Sequence, residues 1–160
     1  MNLEVIVGNT AAERLYEGIG FERVCRLRGY LRREKREEKG SGLEEVEVSA
    51  VAQAILNEQR PWPWQQSAAS VIQSALPMRR WRWRSAFTCT SDLNAPTIGL
   101  RGFAGEDEDL DTLLRALAKR FPGKRWRVIP TIPEDIYVGV FEEAGFEVDE
   151  ISQWWMRIVM

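Results

Sequence analysis

Apolar residues recur along the chain at two spacings, and the changes between them mark out its elements. Ala12, Leu15, Tyr16 and Ile19 repeat at helical spacing between the apolar runs Val5-Ile6-Val7 and Phe21 to Leu31, which predicts strand, helix, strand. Val51, Ala52, Ala54 and Ile55 predict a helix over Ser49 to Glu58. After the break at Pro61-Trp62-Pro63-Trp64, Ala68, Ala69, Ile72 and Leu76 predict another over Gln65 to Leu76. The cleanest stripe is Leu110, Leu113, Leu114, Leu117 and Phe121, in a helix from Asp109 that Pro122-Gly123 ends. Ile136, Val140, Phe141 and Ala144 predict a last helix.

Period two marks the strands. Leu43 to Val48 alternates briefly. Over Arg79 to Thr90 the alternation places Trp81, Trp83, Phe87 and Cys89 on one side and Arg80, Arg82, Arg84 and Thr88 on the other. A turn at Ser91 to Pro96 leads into Thr97 to Phe103, giving a hairpin. Arg125 to Pro130 and Glu147 to Met160 complete the set. The expected fold class is α/β, a mixed sheet with helices on both faces, preceded by an extra β-α-β unit.

Part of the pattern occurs twice. Leu15-Tyr16-Glu17-Gly18-Ile19-Gly20-Phe21-Glu22 is echoed by Val140-Phe141-Glu142-Glu143-Ala144-Gly145-Phe146-Glu147 at a constant offset of 125 (141 − 16, 146 − 21). In each copy a glycine permits the left-handed residue that ends a helix, and the phenylalanine after it begins a strand. In the first copy Asn9 or Thr10 caps the helix, and Glu13 is placed to close a capping box on Thr10. A chain that repeats this way is expected to contain two related units. The charge run Arg32 to Lys39 and Gly40-Ser41-Gly42 read as a solvated linker, so the expected organisation is a unit over 1–31, a linker over 32–42 and a domain over 43–160. A β-α-β unit of that size cannot bury enough apolar surface alone, so it is expected to dock on the domain's sheet or to exchange with another copy.

Composition narrows the chemistry. The 160 residues carry a formal net charge of -2 and no histidine, which removes histidine bases, Ser-His-Asp and Cys-His nucleophiles and histidine metal ligands. Cys25 and Cys89 stand apart, so they read as small buried hydrophobes and no metal site is expected. With no apolar run of membrane-spanning length and no signal-peptide layout, a cytoplasmic protein is expected. The interleaved Arg and Trp of 79–84 would suit single-stranded nucleic acid only if rings and cations shared one exposed face; strict alternation separates them.

Asn9-x-x-Ala12-x-x-Leu15-Tyr16-Glu17-x-x-Gly20-Phe21 resembles the C-terminal motif of the GNAT superfamily of acetyl-CoA-dependent N-acetyltransferases. From residue 43 onward the order of elements is similar to a GNAT domain, so the chain resembles the tail of one such domain followed by a second, degenerate one. The resemblance implies acetyl-CoA as cofactor, with Asn9 in a cofactor-binding place. It also implies Tyr16 as the general acid that protonates the departing thiolate. Its pyrophosphate loop, Arg/Gln-x-x-Gly-x-Gly/Ala, opens the long amphipathic helix, where the helix N-terminus favours an anion.

At that place this chain reads Arg101-Gly102-Phe103-Ala104-Gly105-Glu106-Asp107-Glu108-Asp109-Leu110-Asp111. The glycine spacing differs, and five carboxylates repel a diphosphate within a Debye length of roughly 8 Å. In the second copy the acid's position is Phe141, which has no proton to give. Three readings stand open: an N-acyltransferase by descent, completed by an upstream GNAT domain; a non-catalytic structural or dimerisation domain; and, remotely, single-stranded nucleic-acid binding through Arg79 to Arg84.

Overall fold

The computed structural model describes residues 1–33, 42–74 and 77–159. The elements are β1 (Asn2–Ile6), α1 (Thr10–Ile19), β2 (Glu22–Arg32), β3 (Glu44–Glu45), α2 (Val48–Asn57), a 3₁₀ turn (Trp64–Gln66), α3 (Ala68–Ile72), β4 (Arg79–Trp83), β5 (Ala86–Thr90), β6 (Thr97–Ala104), α4 (Asp107–Arg120), β7 (Arg125–Pro133), α5 (Val140–Glu143) and β8 (Glu147–Arg157). Among the described residues the strands form one sheet in the order β1-β8-β2-β7-β6-β5-β4-β3. All neighbours run antiparallel except β6 and β7.

The first unit does not sit beside the second; it is threaded into it. β2 lies between β7 and β8, and β8 lies between β1 and β2. The offset of 125 carries through this arrangement. In the β2–β8 ladder Leu27 faces Gln153 and Arg28 faces Ser152; since 27 + 125 = 152 and 28 + 125 = 153, each pair is the image of the other. A local two-fold axis therefore passes between them. The same operation on Asn2↔Arg157 predicts Arg127 opposite Arg32, and the structure has Arg127 opposite Leu31, one residue off beside the irregularity at Arg28/Tyr30. Both helix exits follow suit. The Phe21 N–H donates to the Tyr16 carbonyl at 3.0 Å and that of Phe146 to Phe141 at 2.9 Å, with Gly20 and Gly145 at φ 105° and 92°.

Packing differs between the two copies. The main core lies around β4 to β7, where α4 buries Leu110, Leu113, Leu114 and Leu117 and α5 buries Phe141. Under α1 there is only a satellite cluster of Val5, Phe21 and Met156, joined by Ala12 and Tyr16. Leu15 and Ile19, expected on the sheet, are exposed. Asn9 rather than Thr10 caps α1, and the Glu13 carboxylate accepts from the Gly8 amide at 2.8 Å and from Arg23 at 3.0 Å instead of closing a box.

Four further expectations are corrected. Arg84 (φ 49°) and Ser85 make a tight turn inside the Arg-Trp stretch, so the alternation restarts: Trp81 faces Thr88, Arg82 faces Phe87 and Arg80 faces Cys89. Phe87 and Cys89 thus lie on the arginine side. The helix expected over 65–76 is a 3₁₀ turn followed by α3, because Ser67 is extended and caps a new start; Ala68 and Val71 are buried and Ile72 is exposed, while Leu76 lies outside the described residues. The last helix is a single turn, because Tyr137 and Gly139 take left-handed backbone just before it. β2 runs through Arg32, which is buried and donates from Nε to the Ala144 carbonyl at 3.1 Å, so the expected linker starts inside the sheet. The rest of that linker, 34–41, lies outside the described residues.

Leu27 is fully buried beside the local two-fold axis, so truncating it removes packing from both units at once. Leu27→Ala is expected to cost about 2–5 kcal/mol. Urea unfolding should show one transition shifted to lower midpoint; two separated transitions would show that the units fold independently.

Candidate functional site

β6 and β7 part as they leave their shared end. They pair only over Thr97–Gly99 and Arg125–Arg127, after which β6 stays with β5 and β7 stays with β2. Two diverging parallel strands leave backbone donors and acceptors unpaired in the gap, where they must find other partners. Gln66 supplies them. Its Oε1 accepts from the Gly102 amide in β6 at 2.8 Å, and its Nε2 donates to Thr131 Oγ1 in β7 at 2.7 Å, with the side chain 1% exposed.

Beyond the gap β6 turns directly into α4 through Gly105 and Glu106. Gly105 has φ 115°, and a Cβ there would lie 2.5 Å from Ala86 Cα, so only glycine fits. The amides at this junction are already engaged. Gly105 N–H donates to Glu58 Oε1 at 2.6 Å, and Glu106 N–H donates to Ser85 Oγ at 3.1 Å; Ser85 Oγ and N–H in turn donate to Asp109 Oδ2 at 2.7 and 3.1 Å. Tyr137 closes the cluster, its hydroxyl 3.4 Å from Glu58 Oε1 and 3.3 Å from the Gly105 carbonyl. Arg60 Nε stands 3.1 Å from Glu58 Oε2, and its guanidinium lies over the rings of Trp62 and Tyr137.

The electrostatics follow from burial. Loss of solvent pushes the Glu58 carboxyl above its usual range, against the pull of the Gly105 amide, Arg60 and Tyr137. Burial, and then the Glu58 charge, push the Tyr137 hydroxyl up as well. Asp109 is held below the usual range by its two bonds from Ser85.

The residues singled out in the sequence lie elsewhere. Asn9 is exposed and its Oδ1 accepts from the Ala12 amide at 3.3 Å, so its side chain is spent on capping. Tyr16 is half-buried in the satellite cluster, edge-on to Phe21 at 5.8 Å. The junction's hydrogen bonds involve neither residue. Phe141 is fully buried against Tyr30, Phe103 and Phe146. Glu58, Gln66 and Tyr137 escaped sequence reading because a carboxylate at a helix end, a glutamine after a proline-tryptophan break and a tyrosine in a loop all read as surface residues. The acid-rich helix start was the one legible signal, and Asp109 is the acidic side chain of it that bonds into the cluster, beside the Glu106 backbone.

No protein-family model and no curated protein matches the chain. Solved structures do. A protein from Pyrococcus horikoshii assigned as an acetyltransferase superposes with a TM-score of 0.66 at 16% identity, over 99% of this chain and 53% of that one. Eis1 from Mycobacterium abscessus gives 0.61 at 12% identity, over 99% and 47%. A GCN5-related N-acetyltransferase from Sphaerobacter thermophilus gives 0.57 at 10%, over 98% and 58%. The chain has the GNAT fold.

It spans about half the length of these structures. Within the fold, α4 is the amphipathic helix at whose start the resemblance places a pyrophosphate. The residues present do not fit that group. The Gly105 and Glu106 amides already bond Glu58 and Ser85, and Asp107, Glu108 and Asp109 fill the first helical turn.

The raised Glu58 carboxyl has a definite sign. Its contribution to stability is fully present below the ordinary value of 4.5 and is lost as pH rises through the higher folded value. Thermal melts from pH 4 to 8 should therefore show the wild type losing stability relative to Glu58→Gln as pH rises. A difference that stays flat, or grows in the opposite sense, would contradict the half-buried placement of this carboxylate.

Proposed function

We propose that this chain is a non-catalytic GNAT-type module, a structural domain whose coenzyme place is filled by its own side chains. The observation that carries the reading is the pair of amides just ahead of α4, those of Gly105 and Glu106, bonded to Glu58 and Ser85. An incoming diphosphate would have to displace a half-buried carboxylate while entering a field of like charge, and both steps oppose binding. Gln66 adds a second obstacle, since it occupies the backbone amide of Gly102 in the gap between β6 and β7. What the module does instead is architectural. Its last strand, β8, fills the place between β1 and β2 and so completes the sheet of the N-terminal unit.

A second reading, an acetyltransferase of the kind named for the Pyrococcus and Sphaerobacter structures, draws support from Tyr16. Its hydroxyl has no hydrogen-bond partner among the described residues and its ring is half-exposed, which suits a proton donor to a leaving thiolate. In that reading Asn9 and Tyr16 act only once upstream sequence or another subunit supplies the coenzyme loop.

Isothermal titration and thermal shift with acetyl-CoA at about 1 mM decide between them for the chain by itself. The expected outcome is no heat and no change in melting temperature. Saturable binding would overturn the non-catalytic reading, and its loss in Tyr16→Phe would locate the ligand at the first unit.

A further inference from the structure

Arginines gather at the end of the sheet remote from the α4 junction. β6 and β7 run parallel and pair at their starts, Thr97 with Arg125 and Gly99 with Arg127, whereas α4 follows the far end of β6. Along β7 the alternation turns Trp126 and Val128 into the core and leaves Arg125 and Arg127 exposed on the opposite face. On the other side β2 sets Leu31 opposite Arg127 and Arg32 opposite Trp126, and the same ladder continued by one residue brings Arg33 level with Arg125. The exposed Arg33, Arg125 and Arg127, with Leu31, Thr97 and Asp149, line one cleft of about 690 Å³.

Charge in this cleft is unbalanced. Among the described residues the lining carries one carboxylate, Asp149, which lies 3.7 Å from Arg127 Nη2, beyond hydrogen-bond range. The side chains of Arg33 and Arg125 have no ion pair or hydrogen bond among the described residues. Like charges level with one another in a ladder repel, and a guanidinium keeps its charge across the physiological pH range. The chain as a whole has a net charge of -2, so this is a local concentration of positive charge and not a property of the surface at large.

We infer that the cleft is a binding site for a small phosphorylated molecule, with Arg33, Arg125 and Arg127 holding its phosphate oxygens and the Thr97 hydroxyl as a further donor. An anion there relieves the repulsion among the three guanidiniums. Three forked donors suit a tetrahedral group with several oxygens to share better than a planar carboxylate with two. The volume falls within the roughly 300–1,000 Å³ usual for small-molecule sites, and Leu31 offers an apolar wall to the rest of the ligand. Because the cleft lies at the opposite end of β6 from the α4 junction, it serves whether or not that junction takes coenzyme.

Inorganic tripolyphosphate is the probe. Isothermal titration of the full chain at about 50 mM salt should give saturable binding with a Kd at or below about 100 μM, and the melting temperature should rise with the probe. Arg33→Ser and Arg125→Ser should each weaken binding at least about tenfold, whereas Arg14→Ser, which removes an exposed arginine of α1 outside the cleft, should change it less than about twofold. Without the probe neither cleft substitution should lower the melting temperature by more than about 2 °C, since each removes repulsion and no partner; a larger fall would show an existing partner and overturn the inference. Citrate should bind at least about tenfold more weakly than tripolyphosphate. The inference is also overturned if tripolyphosphate does not saturate, if Arg14→Ser weakens it as much as the cleft substitutions do, or if citrate binds as tightly. Tighter binding of single-stranded oligothymidylate, released by the same cleft substitutions, would overturn it too, because the face would then serve a polymer.

Discussion

The position of β2 constrains most of the structure. Because it is hydrogen-bonded to β8 on one side and to β7 on the other, neither unit owns a complete sheet. Removing either would expose three strand edges and the apolar surface around Leu27 and Met156, both fully buried. The local two-fold axis at Leu27/Gln153 is the geometric expression of this exchange: each unit lends its last strand to the other. Residues far apart in sequence then reinforce the seam, as when Arg26 Nε donates to Ser152 Oγ at 2.9 Å and Arg32 reaches the end of α5.

The site inherits its shape from that constraint. β7 keeps its ladder to β2 from Trp126 to Pro133 but pairs with β6 only over Arg125–Arg127, and beyond that the two strands open a gap whose polar backbone must be satisfied. A ligand could meet that need, and so can a side chain. Here Gln66 bridges the strands and Glu58 takes the amide just before α4, so both groups are satisfied by side chains of this chain. In this chain Glu58, at the end of α2, and Gln66, ahead of α3, supply both of these side chains.

Much of the fold was readable in the sequence because its elements are set by local rules. The stripe Leu110 to Phe121 and the two Gly-Phe exits at Gly20 and Gly145 specify helix, stop and strand with little help from tertiary contacts. The misreadings share a cause. A two-residue turn at Arg84-Ser85 leaves no glycine or proline mark, and it inverts the facing of Phe87 and Cys89. Leu15 and Ile19 carry the right spacing for burial, but burial also needs a neighbour, which spacing cannot report. The candidate site was least legible. Asn9 and Tyr16 came from a motif, whereas the groups that fill the α4 junction, Glu58, Ser85 and Tyr137, are gathered from three separate segments by strand order.

The central claim is that the amide at the start of α4 is bonded to Glu58 and unavailable to a coenzyme. The amide proton of Gly105 reports on this directly in nuclear magnetic resonance. The account predicts that its chemical shift follows the protonation of Glu58, with a midpoint above the ordinary carboxyl value of 4.5, and stays fixed when acetyl-CoA is added at neutral pH. A Gly105 resonance that ignores pH in that range but moves on adding acetyl-CoA would contradict it.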